Sequence, residues 1–521
     1  MIGLLAMAVV VQFISFIPLI SRTMDHRSII EAHDNDAGKM IEVGLRTRWY
    51  NDNQFRYYGP LYFRLANTFH SVAPTYSGLY PADSREAQEE SIHFYLLLVS
   101  VLGLFLLAFS CSWLLTSKWE LRLLSVLFLT PLLAADPTWA QFIFTAHPDL
   151  MLAGFAALSA VMTYQMIEKD FSEASIRFAG WLWGATLCIK LSVLFFMPGL
   201  GLIFWIFSSS FKQTFERSKK LTLSALASYF LLGFPQNLDI FGSLRKLFNL
   251  SSFSSSFSSA AFADWWQQIG TQSVRGICLL LLISVLFSEK NKIEIPLKKY
   301  LASFLVMGLG LLILTTRTLE LAHSYYTLPF IGALLVGVVF LSQNLRGLRL
   351  SERFNSAFHW NGFLFLIFIL GSSFHLFSFP EAAATQASLL RCRSAYREVY
   401  NQTNTWLSQG QTMISTPYTP VPLYDEKKVQ IDWELNFETL NKTSPDFLVL
   451  NSSYYARYTD QNIPNKYVLL TNADWKKTQD FYLAFTVKNP VSQDQVQAPG
   501  GAAWKKIYKN ETCQLEIWQR Q

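Results

Sequence analysis

Hydrophobic positions in this chain are gathered into runs at 1–20, 92–115, 122–135, 138–166, 177–195, 198–208, 221–236, 274–288, 300–316, 323–342 and 359–377, with polar stretches between them. Crossing the hydrocarbon core of a bilayer as a helix takes ~20 apolar residues, so the pattern predicts a mainly α, polytopic membrane protein with about eleven transmembrane helices. The first run has no basic stretch ahead of it and stays hydrophobic to Ile20 without a small-residue cleavage site. It reads as a retained helix, not a removed leader.

Charge sets the expected orientation. With the N-terminus inside, the loops at 116–122, 167–177, 209–220, 289–299 and 343–353 face the cytoplasm and hold 15 Lys and Arg, while the short turns at 136–148 and 317–322 hold only Arg317. Basic residues resist translocation, so the asymmetry predicts a cytoplasmic N-terminus. The same parity requires two helices over 177–208, broken near Pro198 and Gly199. Three larger segments then fall outside: a first loop at 21–91, a Ser/Phe-rich loop at 237–273, and the tail. The tail opens with a helical stretch at 380–408, continues with short apolar runs at 447–450, 467–470 and 481–487, and closes with a hairpin-like pair around Asn510. This predicts a transmembrane domain over 1–377 followed by an extracytoplasmic α/β domain over 378–521.

Composition narrows the function classes. Of 521 residues, 51% are hydrophobic and 15% charged, and the mean hydropathy is +0.23, which excludes an ordinary soluble enzyme. A net charge of +6, with the basic residues in short loops, does not indicate nucleic-acid binding. Five cysteines without a CxxC pair exclude a zinc ribbon, and only Cys392 and Cys513 lie outside apolar runs, where a single bridge is open to them.

Chemistry-bearing residues concentrate in the outer segments. The first loop carries His33-Asp34-Asn35-Asp36, then Arg48, then Tyr58-Gly59-Pro60-Leu61-Tyr62. Two carboxylates two positions apart beside a histidine can supply a general base and a divalent-metal ligand, although Asp-x-Asp is also common turn chemistry. A second outer turn carries His147-Pro148-Asp149, and a third carries Arg317, Glu320 and His323 with Tyr325 and Tyr326. Lys190 lies inside an apolar run. Ionisable groups near hydrocarbon cost roughly 2.5 to 3.5 kcal/mol at mid-bilayer, so those retained are paired, snorkelling or functional. Acid, base and cation at one outer face suit sugar transfer from a lipid phosphate: a carboxylate takes the acceptor's proton while cations neutralise the departing phosphate.

In order along the chain, the acidic pair of the first loop, the Tyr58-to-Tyr62 stretch, His147-Pro148-Asp149, Lys190-Leu191-Ser192, His323-Ser324-Tyr325-Tyr326-Thr327-Leu328-Pro329 and the tail segment Ser444-Pro445-Asp446-Phe447-Leu448-Val449-Leu450 resemble the GT-C glycosyltransferase superfamily. The branch is the one similar to protein O-mannosyltransferases and bacterial aminoarabinose transferases. The resemblance implies an inverting transfer from a polyprenyl-phosphate sugar to an acceptor hydroxyl or amine. It makes the base Asp34 or Asp36, with Asp36 preferred because it lies nearer the following helical run and Asp34 then a helper or metal ligand, and it makes Arg317, His323, Lys190 and Arg48 the groups for the phosphate. His33, His147, Asp149, Tyr58 and Glu320 are further site candidates. The family's common Asp-Glu pair is replaced here by Asp34-Asn35-Asp36. That form also resembles the first-loop motif of metal-using oligosaccharyltransferases, so a magnesium or manganese ion on Asp34 and Asp36 stays open. The implied partners are the lipid-linked donor, the bilayer and a lipid, glycan or protein acceptor. The rival from another class is a transporter or lipid flippase in which Lys190 and Asp149 serve an ion pathway; the large tail, the loop-borne carboxylates and the lack of internal repeats weigh against it.

Overall fold

The computed structural model describes residues 2–34, 36–47, 58–76, 78–116, 118–135, 137–242, 244, 391–423, 427–451, 472–485, 495–499 and 501–521. The chain divides into two compact units, Met1–Thr23 with Met40–Thr385, and Met24–Lys39 with Gln386–Gln521.

Among the described residues the first unit is helical. Its described helices are α1 (Ile2–Ile14) and α2 (Phe16–Ser21), then, past α3 of the other unit (Arg27–His33), α4 (Ala37–Arg46), α5 (Pro60–Val72), α6 (Arg85–Leu115), α7 (Trp119–Ala135), α8 (Pro137–Ile143), α9 (Asp149–Glu168), α10 (Glu173–Leu187), α11 (Met197–Phe207) and α12 (Phe211–Gly233). Among the described residues, Ile2–Ser21, Arg85–Trp113 and Asp149–Glu168 are long and apolar enough to cross a membrane, and Leu191–Phe207 is a shorter apolar stretch. The runs at 274–288, 300–316, 323–342 and 359–377 lie outside the described residues. Helix α6 packs along α9 at very close range: a Cβ on Gly154 would stand 2.2 Å from the carbonyl oxygen of Gly103. Small residues let two helix backbones approach where apolar surroundings offer no hydrophobic drive.

Two expected spans are broken where the sequence alone does not show it. The run at 138–166 divides into α8 and α9, with Pro148 at the N-cap of α9 and Asp149 at its first position. The run at 177–195 ends as α-helix at Leu187 and resumes as a 3-10 turn at Leu191–Phe196. The interruption therefore falls at 188–190, ahead of Pro198 and Gly199. Its cause is tertiary: Gly59 N–H donates to Ile189 O at 2.9 Å, Leu61 N–H donates to Cys188 O at 3.1 Å, and Tyr58 and Lys190 form an antiparallel bridge.

The second unit is α/β. It comprises α13 (Arg393–Ser408), β1 (Met413–Ser415), β2 (Val429–Ile431), α14 (Phe437–Thr443), β3 (Phe447–Asn451), α15 (Asn472–Phe485), β4 (Gln495–Gln497), β5 (Ala503–Asn510) and β6 (Leu515–Arg520). The described strands form one six-stranded sheet of order β2-β1-β3-β6-β5-β4, parallel across β2-β1-β3 and antiparallel beyond. All five residues of β3 are buried, as expected of a strand covered on both faces. Leu448 and Leu450 pack with Phe481, Phe485, Trp504 and Trp518, while Phe447 and Val449 pack with Val399, Leu407 and Ile517. The apolar run at 481–485 belongs to helix α15.

Residues 24–39, assigned from sequence to the first loop of the membrane domain, instead pack with the tail. Ile29 and Ala32 of α3 join Ala395, Tyr396 and Val399 in one apolar cluster. Asp25, 2% exposed, accepts from Arg393 Nε and, at 3.0 Å, from Arg397 Nε. A disulfide joins Cys392 to Cys513 across a separation of 121 residues.

His26 stacks on Tyr400 with ring centroids 4.3 Å apart. Burial lowers its pKa below the ordinary 6.5, Arg397 adding to the effect and Asp25 opposing it. The unfolded chain thus binds a proton more readily than the folded one, and the stability of this unit should be intact above about pH 6.5 and fall as pH drops below it. His26→Phe should flatten that decline in melting temperature between pH 7.5 and 5; an unchanged slope would contradict the assignment.

Candidate functional site

Four side chains of the first unit converge. Tyr58 precedes α5, in which Gly59 is the N-cap and Pro60 opens the helix. His147 and Asp149 straddle the start of α9, and Lys190 occupies the break after α10. Asp149 is 0% exposed, His147 4%, and Tyr58 and Lys190 each 6%. The carboxylate of Asp149 accepts from Lys190 Nζ at 2.8 Å through Oδ1, and its Oδ2 faces Nδ1 of His147. With Nδ1–H directed at that carboxylate, Nε2 accepts from the Tyr58 hydroxyl, 2.8 Å away. The Lys190 ammonium stands 5.1 Å from the centre of the Tyr58 ring, within cation–π range. A carboxylate orienting an imidazole toward a hydroxyl, with an ammonium alongside, can hold or pass a proton and stabilise an anion.

Removing charges from water costs several kcal/mol per ion, which their attraction offsets only in good geometry, so a buried pair is weak evidence for stability. Its placement at the first turn of α9, where the helix dipole favours a carboxylate, reduces that cost. The surroundings fix the rest. Ser100 Oγ donates to His147 O at 3.2 Å, and Tyr62 Oη donates to Leu96 O at 3.0 Å. Gln236 Nε2 donates to Tyr58 O at 3.4 Å, and Asn237 Nδ2 to Tyr229 O at 2.8 Å. The guanidinium of Arg64, fully buried, donates to the carbonyls of Leu232 and Phe234 and so ties α5 to the end of α12. Sequence reading passed over Ser100, Arg64, Gln236 and Asn237. Arg64 alone carried a signal, as a charge two residues after the aromatic stretch.

Gly59 is required by space, not by backbone angle. Its φ of −67° suits any residue, but a Cβ would stand 1.9 Å from Cys188 O. Gly59→Ala should therefore push the 58–61 segment off the 188–190 break, destabilise the fold by about 1–3 kcal/mol and lower activity by misplacing Tyr58. Thermal unfolding and turnover check this; wild-type values in both would contradict the close approach.

Asp34 and Asp36 belong to the second unit. Asp34 is the half-buried C-cap of α3, and its Oδ1 accepts from Asp36 N–H at 3.3 Å, while the Asp36 side chain is exposed. His33 ends α3. Arg27 braces the loop, donating from Nε to Glu31 Oε1 at 2.8 Å and from Nη2 to Gly38 O at 3.4 Å. Among the described residues no group of three His, Cys, Asp or Glu is placed to hold a metal ion. Arg48, Arg317, Glu320 and His323 lie outside the described residues.

No protein-family model and no curated protein matches the chain. Among solved structures it is similar to ArnT from Cupriavidus metallidurans. The crystal structure of that protein bound to undecaprenyl phosphate shares 13% identity, covering 86% of this chain and 93% of the other with a TM-score of 0.49. The apo form shares 14%, covering 86% and 94% with a TM-score of 0.48. Both likenesses are of fold, at TM-scores below 0.5.

The four-residue network joins segments that were singled out separately in the sequence: the Tyr58-to-Tyr62 stretch, His147-Pro148-Asp149 and Lys190-Leu191-Ser192. The structure brings these together in one buried place.

Proposed function

We propose that the chain is an integral-membrane glycosyltransferase of the GT-C kind, moving a sugar from polyprenyl phosphate to an acceptor hydroxyl or amine at the outer face of the membrane. The observation that carries this reading is the buried Tyr58–His147–Asp149–Lys190 network, in which the Lys190 ammonium is held by Asp149 at 2.8 Å. In the reaction the acceptor loses its proton to a first-loop carboxylate as its oxygen or nitrogen attacks the anomeric carbon opposite the phosphate. The anomeric C–O bond breaks, and polyprenyl phosphate leaves with one more negative charge than it carried as a diester. A fixed cation stabilises that developing charge more than the ground state, which is what acceleration requires. Lys190, with His147 beside it, supplies the cation; Asp149 keeps both oriented. Exposed Asp36 is the base, and Asp34, which accepts from the Asp36 backbone, positions it.

The disulfide between Cys392 and Cys513 supports an extracytoplasmic tail, because such bonds persist on the oxidising side of the membrane. The ion-coupled transporter reading draws on the same Lys190–Asp149 pair, and chemistry separates the two. Purified protein given a polyprenyl-phosphate sugar and an acceptor should release polyprenyl phosphate, and Asp36→Asn should abolish the release with the fold intact. Full turnover in Asp34→Asn, Asp36→Asn and the double variant would remove the catalytic assignment; lipid movement without cleavage would favour the transporter.

A further inference from the structure

The second unit carries an aromatic corner that the transfer chemistry above does not use. Strands β2, β1 and β3 run parallel, and in open α/β sheets the crevice outside the carboxyl ends of the strands is where ligands bind. The segments leaving β1 and β2 meet at that edge. Tyr418, after β1, sets its ring edge-on to Trp433, after β2, with centroids 5.5 Å apart and planes at 84°. Trp433 is 51% exposed. Its neighbours in the chain are two carboxylates, Asp432 and Glu434.

The corner is built rigidly. Tyr418 holds a left-handed backbone, φ 61°, a conformation that is unfavourable for a non-glycine residue and persists only where surroundings enforce it. Asn451, at the end of β3, enforces it by donating from Nδ2 to Tyr418 O at 2.7 Å, while its own N–H donates to Thr416 Oγ1 at 2.8 Å. Pro417 and Pro420 flank the turn. On the other side, Asp432 N–H donates to Ser415 O at 3.0 Å, and Asp432 Oδ1 accepts from Glu434 N–H at 2.9 Å. Ordering both loops in advance removes the entropy that a ligand would otherwise have to supply.

From this arrangement we propose that Trp433, Tyr418, Asp432 and Glu434 form a saccharide-binding subsite. A pyranose ring presents an apolar C–H face, which stacks on an exposed indole, and a rim of hydroxyl or amine donors, which carboxylates accept. A membrane surface is the poorer match, since anionic headgroups attract basic residues and are repelled by flanking carboxylates. The subsite deepens the transferase reading by making the acceptor a glycan, and only that extension rests on the reading; saccharide binding itself does not.

The test therefore measures binding without donor lipid. Full-length protein in nanodiscs is titrated with mannan, dextran and chitosan oligosaccharides by saturation-transfer NMR, and the same preparation is assayed for transfer. At least one oligosaccharide should bind, weakened about tenfold or more in Trp433→Ala and kept within a few-fold in Trp433→Phe. Trp433 is half-exposed, so neither variant should unfold, and circular dichroism checks this. Wild-type protein that binds none of the three, or Trp433→Ala that binds as wild type, overturns the subsite whatever the transfer assay gives. Loss of transfer with binding intact would instead count against the catalytic reading.

Discussion

Replacing Asp149 with leucine should destabilise the membrane unit by about 3–5 kcal/mol, because Lys190 is then left buried with its charge uncompensated. Lys190→Met should cost a comparable amount by orphaning the carboxylate. Combining the two should recover most of the loss, since a buried ion pair and an apolar pair of similar volume are often close in stability. Activity should not follow stability. On the proposed reaction the paired variant, which should keep the fold, lacks the cation that faces the leaving phosphate, and turnover should stay at least about 100-fold down, the scale seen when one preorganised electrostatic group is removed. A double-mutant cycle on thermal unfolding, run beside turnover, separates the two quantities. Recovery of both together would reduce Lys190 to a structural residue.

The second large effect belongs to the tail. Cys392 and Cys513 close a loop of 121 residues, with their Cα atoms 5.3 Å apart. In the chain-entropy account, a cross-link closing a loop of that length stabilises by about 5 kcal/mol, acting on the unfolded ensemble. The double variant Cys392→Ser with Cys513→Ser should lower the unfolding midpoint of the second unit accordingly, and dithiothreitol should do the same to wild type while leaving the variant unmoved. Among the described residues the remaining cysteines, Cys111 and Cys188, are buried and unbridged, so the reagent has one clear target there. In intact cells, an impermeant maleimide should label the pair only after reduction. No labelling even after reduction would place the tail on the side the reagent does not reach and reverse the expected orientation.

The spans at Ile2–Ser21, Arg85–Trp113 and Asp149–Glu168 were legible because helix and bilayer impose a local length rule that one segment satisfies by itself. The tail's α/β character was legible for a similar reason: buried β3 and the β5–β6 hairpin around Asn510 announce themselves through short-range composition. Lys190 and the His147-Pro148-Asp149 turn stood out because charge inside apolar sequence is costly. Their meeting with Tyr58 did not stand out, because periodicity reports burial, not which buried group faces which. The break at 188–190 is set by hydrogen bonds from the 58–61 segment, and nothing in its own composition forces it. Asp25 is more extreme still. Its partner Arg393 lies 368 residues away, and the helix that follows Asp25 reads as an ordinary loop helix until the tail is folded beside it.

Affinity for the lipid phosphate is the most direct measure of whether the buried network is a catalytic centre. Radiolabelled polyprenyl phosphate should be titrated into nanodisc-embedded wild type and into the Asp149→Leu, Lys190→Met double variant, which should keep the fold. Loss of one charge-assisted contact predicts binding weaker by about tenfold or more. Equal affinity together with equal turnover would mean that the network only holds helices together, and that the phosphate is bound elsewhere.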